Sequence, residues 1–207
     1  MTATDDTAAA KLPEECQLVD RYGRTLYQLA GMLNPPPDVI ALLSQWLIEL
    51  ETRWPGAETE GRPPARLTLV SALGHKNARG TAAAQALISQ FDTAKTIGSR
   101  ERWPAGNAIY DIPAGVEYFD QLAAIAMNRE FGADRQMVVS WLAKSRHPDA
   151  VAVALSQLDD GAVQGHALEV LSKLRARGVR DRVQSFVTSK NKWHKRSADR
   201  ILRYDES

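Results

Sequence analysis

The chain has little of what builds a chemical site. Its 207 residues include one cysteine, Cys16. No disulfide can form within the chain, and a lone thiol fits a reducing compartment, which sets the expectation of a cytoplasmic protein. Cys16 lies in an acidic stretch with no basic neighbour closer than Lys11, so nothing activates the thiol and no base partners it. The four histidines, His75, His147, His166 and His194, form neither an HxxxH nor an HExxH pair, which removes the usual zinc spacings. There is no GxSxG elbow and no glycine-rich phosphate loop; Gly74 and Gly80 do not make one. Nothing approaches eighteen consecutive apolar residues, so no membrane span is expected. The N-terminal MTATDDTAAA lacks the apolar core of a signal peptide, and residues 1–12 read as a disordered tail. Strand signals are scarce: Asp160-Gly161 is the nearest thing to a hairpin turn, and helical patterns flank it. The expectation is a protein with no catalytic residue, no metal and no cofactor.

What is present is helix-forming sequence with a polar distribution of charge. Hydrophobic residues make up 44% and charged residues 25%, enough for a packed, soluble core. The net charge of +1 conceals a gradient. Residues 1–60 hold ten acids against four bases, whereas residues 173–207 hold eleven Lys and Arg against four acids. Prolines at Pro35-Pro36-Pro37, Pro63-Pro64, Pro104, Pro113 and Pro148 sit where helices would start or stop, and Gly132 and Gly178 where C-caps belong.

The sequence also repeats itself. Gly106-Asn107-Ala108-Ile109-Tyr110-Asp111-Ile112 aligns with Gly165-His166-Ala167-Leu168-Glu169-Val170-Leu171, with Gln136–Leu142 and with Arg196–Leu202. The frames start at 106, 136, 165 and 196, in steps of 30, 29 and 31, with a weaker frame at Leu67–Leu73. Small or aliphatic residues recur at the third and last places, four apart, which is one face of a helix. Between the frames lie segments with apolar spacings of three and four: 78–91, 116–129, 148–158 and 179–189. The unit is therefore a pair of antiparallel helices in about thirty residues, the signature of an α-solenoid whose shared core runs down the stack. Ala108, Ala167 and Ala198 permit close helix approach. Upstream, Glu15–Leu33 and Val39–Trp54 read as two longer amphipathic helices. The predicted organisation is a tail over 1–12, capping helices over 13–60 and repeats over 61–207, continuous as one domain.

GHALEVLSKL after a Leu-Asp-Asp turn, and KWHKRSADRIL near the C-terminus, resemble HEAT repeats, specifically the short HEAT-like units of phycobilisome lyases that are scattered through bacterial proteins. The resemblance covers about residues 63–204. It implies a right-handed, all-α armadillo-type superhelix with first helices on the convex side and second helices on the concave side. It also implies a scaffold that binds a protein partner. It brings no catalytic residue.

On that reading the concave surface is built from Asn107, Arg135, His166, Glu169, Lys173, Arg196 and Arg200. His166 has two readings, a hydrogen bond that locks one repeat to the next or a contact to a ligand. Lys192, Lys195, Arg196, Arg200 and Arg203 fall at spacings of three and four on the last helix. Such a stripe is a solvated cap, a contact for an acidic protein, or a phosphate-binding face. Nucleic-acid binding there is the alternative to a protein partner. Trp46 and Trp141 read as core. Trp103 before Pro104 and Trp193 after a predicted N-cap at Asn191 read as staples, and an exposed Trp193 would anchor a partner.

Overall fold

A computed structural model describes residues 18–55 and 61–205. The protein is all-α: among the described residues the only extended pairing is a single bridge between Val19 and Thr25. The chain divides into two compact units, one ending at Ile112 and one beginning at Pro113.

The first unit opens on a turn, not on the long helix expected over Glu15–Leu33. Asp20 Oδ1 accepts the Tyr22 and Arg24 N–H groups at 2.9 and 2.8 Å, and Gly23 adopts a left-handed φ of 75°. That closure stops a helix from passing through, and only Leu26–Ala30 (α1) is helical, started by a Thr25–Gln28 capping box. The part of the expected helix before Leu18, Cys16 and the predicted tail lie outside the described residues. Pro37 opens α2 (Pro37–Ile48), which buries Val39, Ile40, Leu43, Trp46 and Leu47, and a short α3 (Leu50–Arg53) continues it. Then come α4 (Arg62–Leu73), α5 (Ala83–Ile88) with a 3-10 extension over Ser89–Phe91, and α6 (Ser99–Asp111). α2 packs on α4 and α5, and α4 lies against α6.

Pro104 corrects the sequence reading: it lies inside α6, not at its start. The ladder begins with the Arg102 N–H donating to Gly98 O at 2.9 Å. A proline two residues later therefore forfeits one bond, the one to the Arg100 carbonyl, and the helix tolerates it near its end.

The second unit is three helical hairpins. α7 (Phe119–Met127) pairs with α8 (Gln136–Ser145), α9 (Ala150–Leu155) with α10 (Gln164–Lys173), and α11 (Arg180–Val183), extended by a 3-10 turn over Gln184–Thr188, with α12 (Lys192–Asp205). α10 packs between α8 and α12, so the second helices form one layer, while α7 meets α9 in the other.

The repeat frames fall where the spacing placed them. Leu67–Leu73 is on α4, 106–111 on α6, 136–142 on α8, 165–171 on α10 and 196–202 on α12. The third place is buried in all five: Leu69, Ala108, Val138, Ala167 and Ala198. The last place is buried in four; on α12, Ile201 takes over from half-buried Leu202. Trp46 and Trp141 are core, and the Trp141 indole N–H donates to Ala114 O at 3.0 Å.

The left-handed caps are not the predicted glycines. α8 ends on Arg146 (φ 55°) and α10 on Arg175 (φ 52°), where the Ala176 N–H returns to Leu171 O at 3.0 Å. This is a Schellman closure with arginine in the position that usually takes glycine. Gly132 lies within the 3-10 stretch before α8.

Candidate functional site

The predicted surface residues separate into four groups. Arg135 is not on a surface at all. It is fully buried at the foot of α8, where Nη1 donates to Ala126 O at 2.5 Å and to Gln157 Oε1 at 2.8 Å, while Nη2 pairs with Asp160. Beside it the exposed Arg129 reaches Asp159 at 2.8 Å. The Leu-Asp-Asp turn is thus gripped by two arginines of the preceding hairpin. Burial lowers the Arg135 pKa and the Asp160 carboxylate opposes that shift. A buried guanidinium with these partners is a strut between hairpins and cannot meet a ligand.

Asn107 belongs to the first unit. It is half-buried in a cleft of about 490 Å³ between α4 and α6, with Val70, Ser71, Gly74, His75 and Asp111. A methyl on Gly74 would come within 3.2 Å of Ala108 Cβ, so glycine sets how closely these helices approach.

His166 locks repeats together. Its Nδ1 lies 2.9 Å from Ser140 Oγ on α8, and its ring meets Trp193 of α12 edge-on at 5.0 Å. One imidazole on α10 thus bridges the second helices on either side of it, α8 and α12. Burial depresses its pKa; Glu169 opposes the shift and Lys173 adds to it.

The remaining candidates form a shared surface on the second unit. Glu169 and Lys173 pair on the outer side of α10 at 2.7 Å. α12 buries Ser197, Ala198 and Ile201 and exposes Lys192, Lys195, Arg196, Arg200 and Arg203. Asn191 starts this helix by accepting the Trp193 N–H at 2.9 Å, as expected of an N-cap. α10 and α12 run parallel: Gly165 meets Trp193 at one end, and the Arg175 guanidinium lies 5.3 Å over the Tyr204 ring at the other. The furrow between them has Trp193 at its head and Arg175 with Tyr204 at its foot; α12 exposes Arg196 and Arg200 between those ends, and α10 carries the Glu169–Lys173 ion pair. Among the described residues no ion pair involves Lys195, Arg196 or Arg200.

Trp193 is 38% exposed. It is not the staple read from sequence but a ring held between His166 and His194, the latter with its centroid 5.9 Å away. Gly165 makes room for it: any Cβ there would collide with the indole. Tyr204 and the role of Ser140 were not read from sequence. The thirty-residue period carried a signal for Ser140, which sits one turn beyond the start of its frame, beside the second place of the next.

No family model and no curated protein matches the chain. A crystal structure of an engineered protein is similar with a TM-score of 0.55 and 14% identity, over 98% of this chain and 58% of that one. The likeness is one of fold, and the chain spans little more than half of that protein's length.

Proposed function

We propose that the protein is a non-catalytic adaptor of HEAT-like helical repeats that docks an acidic protein segment on the second helices of its C-terminal hairpins. The observation that carries the reading is the α10–α12 furrow, where cations line a surface headed by a half-exposed, prefixed indole. Such a surface suits an acidic partner in two ways. Opposite charge steers encounter, and an aromatic anchor whose rotamer is already set reduces the ordering cost of binding. A single cysteine and a bacterial-type repeat support a cytoplasmic setting.

The exposed cations of α12 also support a second reading, contact with nucleic-acid phosphates. The two separate in one experiment. The full chain and its Lys195→Glu/Arg196→Glu/Arg200→Glu variant are immobilised, exposed to native extract at 50 and 200 mM salt, with and without nuclease, and the retained proteins identified. Acid-rich proteins retained by the parent only, and unaffected by nuclease, support the adaptor reading. Retention abolished by nuclease, with a steep salt dependence, replaces it with nucleic-acid binding. Equal retention by both chains refutes both.

A further inference from the structure

We infer that the α10–α12 furrow takes an extended acidic segment that carries an apolar residue at one end, seated on Trp193, with its acids lying along Arg196 and Arg200. This rests on the adaptor reading and specifies its ligand.

Three features of the furrow lead there. First, its ends differ. Trp193 is flanked by the imidazoles of His166 and His194, whereas Tyr204 at the other end is covered by the Arg175 guanidinium. The head is an aromatic platform; the foot already holds a cation. A uniformly acidic chain would leave Trp193 without an apolar partner.

Second, the platform is built in advance. Gly165 removes the side chain that would occupy the indole's place, and Ser140 fixes the imidazole that meets its edge. Exposed indoles on a helix ordinarily sample several rotamers. This one is held by Gly165 and His166 of α10, so an apolar group that lands on it gains contact without ordering it first. Such fixed aromatic anchors are where binding energy concentrates.

Third, the length is defined. From Trp193 to Tyr204 is eleven residues of helix, about 16 Å at 1.5 Å per residue. An extended chain covers that span in about five residues. The ligand is therefore an apolar residue followed or preceded by about four positions rich in Asp or Glu.

The test is fluorescence anisotropy of labelled peptides on the full chain at 50 and 200 mM salt. Four probes are compared: one phenylalanine terminal to four glutamates, the same with alanine for phenylalanine, the same with glutamines for glutamates, and an oligothymidylate of ten nucleotides. The phenylalanine–glutamate probe should bind about tenfold more tightly than its alanine counterpart, and the glutamine probe should bind weakly at either salt. Trp193→Ala should bring the two glutamate probes to equal affinity, and Trp193→Phe should keep most of the preference. Gly165→Ala keeps every cation and displaces the ring, so it should also remove the preference while the alanine probe binds as before. That variant guards against a folding defect in Trp193→Ala. Equal binding of both glutamate probes to the parent chain overturns the inference and leaves the adaptor reading standing. Failure of every peptide, or an oligothymidylate that displaces them all at 200 mM salt, overturns both.

Discussion

Arg135 is the residue whose removal should do most damage, and its surroundings allow the cost to be worked out. Arg135→Met keeps the length and apolar bulk of the side chain and deletes the guanidinium. Two acceptors that are buried with it, Ala126 O and Gln157 Oε1, lose their donor. Each stranded group costs about 1–3 kcal/mol. Asp160 loses its partner too, but its side chain is 15% exposed and still accepts the Ala162 N–H at 2.9 Å, so its contribution is smaller. The methionine recovers a part by packing. The net expectation is about 3–4 kcal/mol, within the range for breaking a buried ion pair. Urea unfolding followed by far-ultraviolet circular dichroism gives the measurement. Arg135→Met/Gln157→Leu/Asp160→Asn should recover at least 1 kcal/mol of the loss, because two of the three stranded groups leave with it, an estimate from the same buried-group costs. A single substitution costing less than about 1 kcal/mol would refute the strut, since that is below the cost of even one stranded buried group. So would a triple variant no more stable than the single.

Arg66→Met in the first unit should cost a similar amount, about 3 kcal/mol by the same reasoning, because buried Arg66 donates to Gln90 Oε1 at 2.5 Å and pairs with Glu51 at 2.7 Å; the urea midpoint reports it. Arg146→Gly should raise stability by about 0.5–1 kcal/mol, since an exposed arginine at φ 55° bears a left-handed penalty that glycine escapes; an unchanged or lower midpoint counts against it. His166 and His194 both have pKa values pushed below 6.5 by burial, so the folded state binds fewer protons than the unfolded state as pH falls below 6.5, and stability declines there. His166→Gln should flatten the fall in urea midpoint between pH 7.5 and 5.5, and an identical fall in parent and variant would exclude His166 as its source. Arg200→Glu should leave the midpoint within about 0.5 kcal/mol of the parent, because it replaces like-charge neighbours Arg196 and Arg203 with opposite-charge ones; a loss above 1 kcal/mol would make this face structural.

The second helices were legible in the sequence because each frame repeats one buried face. The first helices were legible in position but not in length. Their spacings of three and four do not distinguish an α-helix from a 3-10 turn, and α11 is four residues followed by five of 3-10 geometry. The turn at Asp20–Gly23 was missed because helical apolar spacing runs through it; the Asp side chain and the glycine override that spacing locally. Arg135 was assigned to a surface because charge ordinarily faces water. A signal against that was present. Ile88-Ser89-Gln90-Phe91-Asp92 and Leu155-Ser156-Gln157-Leu158-Asp159 are near copies, 24 and 22 residues after Arg66 and Arg135. In both, the glutamine accepts from the arginine and its amide is held by the preceding serine, at 3.0 and 2.8 Å. A polar side chain repeated with its partner at a similar separation, 24 and 22 residues, marks an interior bond, whatever its charge.

The same logic separates charge with an internal partner from charge without one on α12. Asp205 stands at the negative end of the helix, where a carboxylate is disfavoured. Its position has an internal cause: it accepts the Gly178 and Arg180 N–H groups at 2.5 and 3.2 Å and so secures the start of α11. Lys192 and Lys195 stand at the positive end, equally against the helix dipole, and no acidic residue occupies that first turn. They are exposed and form no ion pair among the described residues. An unfavourable charge with an internal partner is accounted for by the fold. Lys192 and Lys195 have no such partner among the described residues, and under the proposed adaptor function they are the charges that would meet an acidic segment.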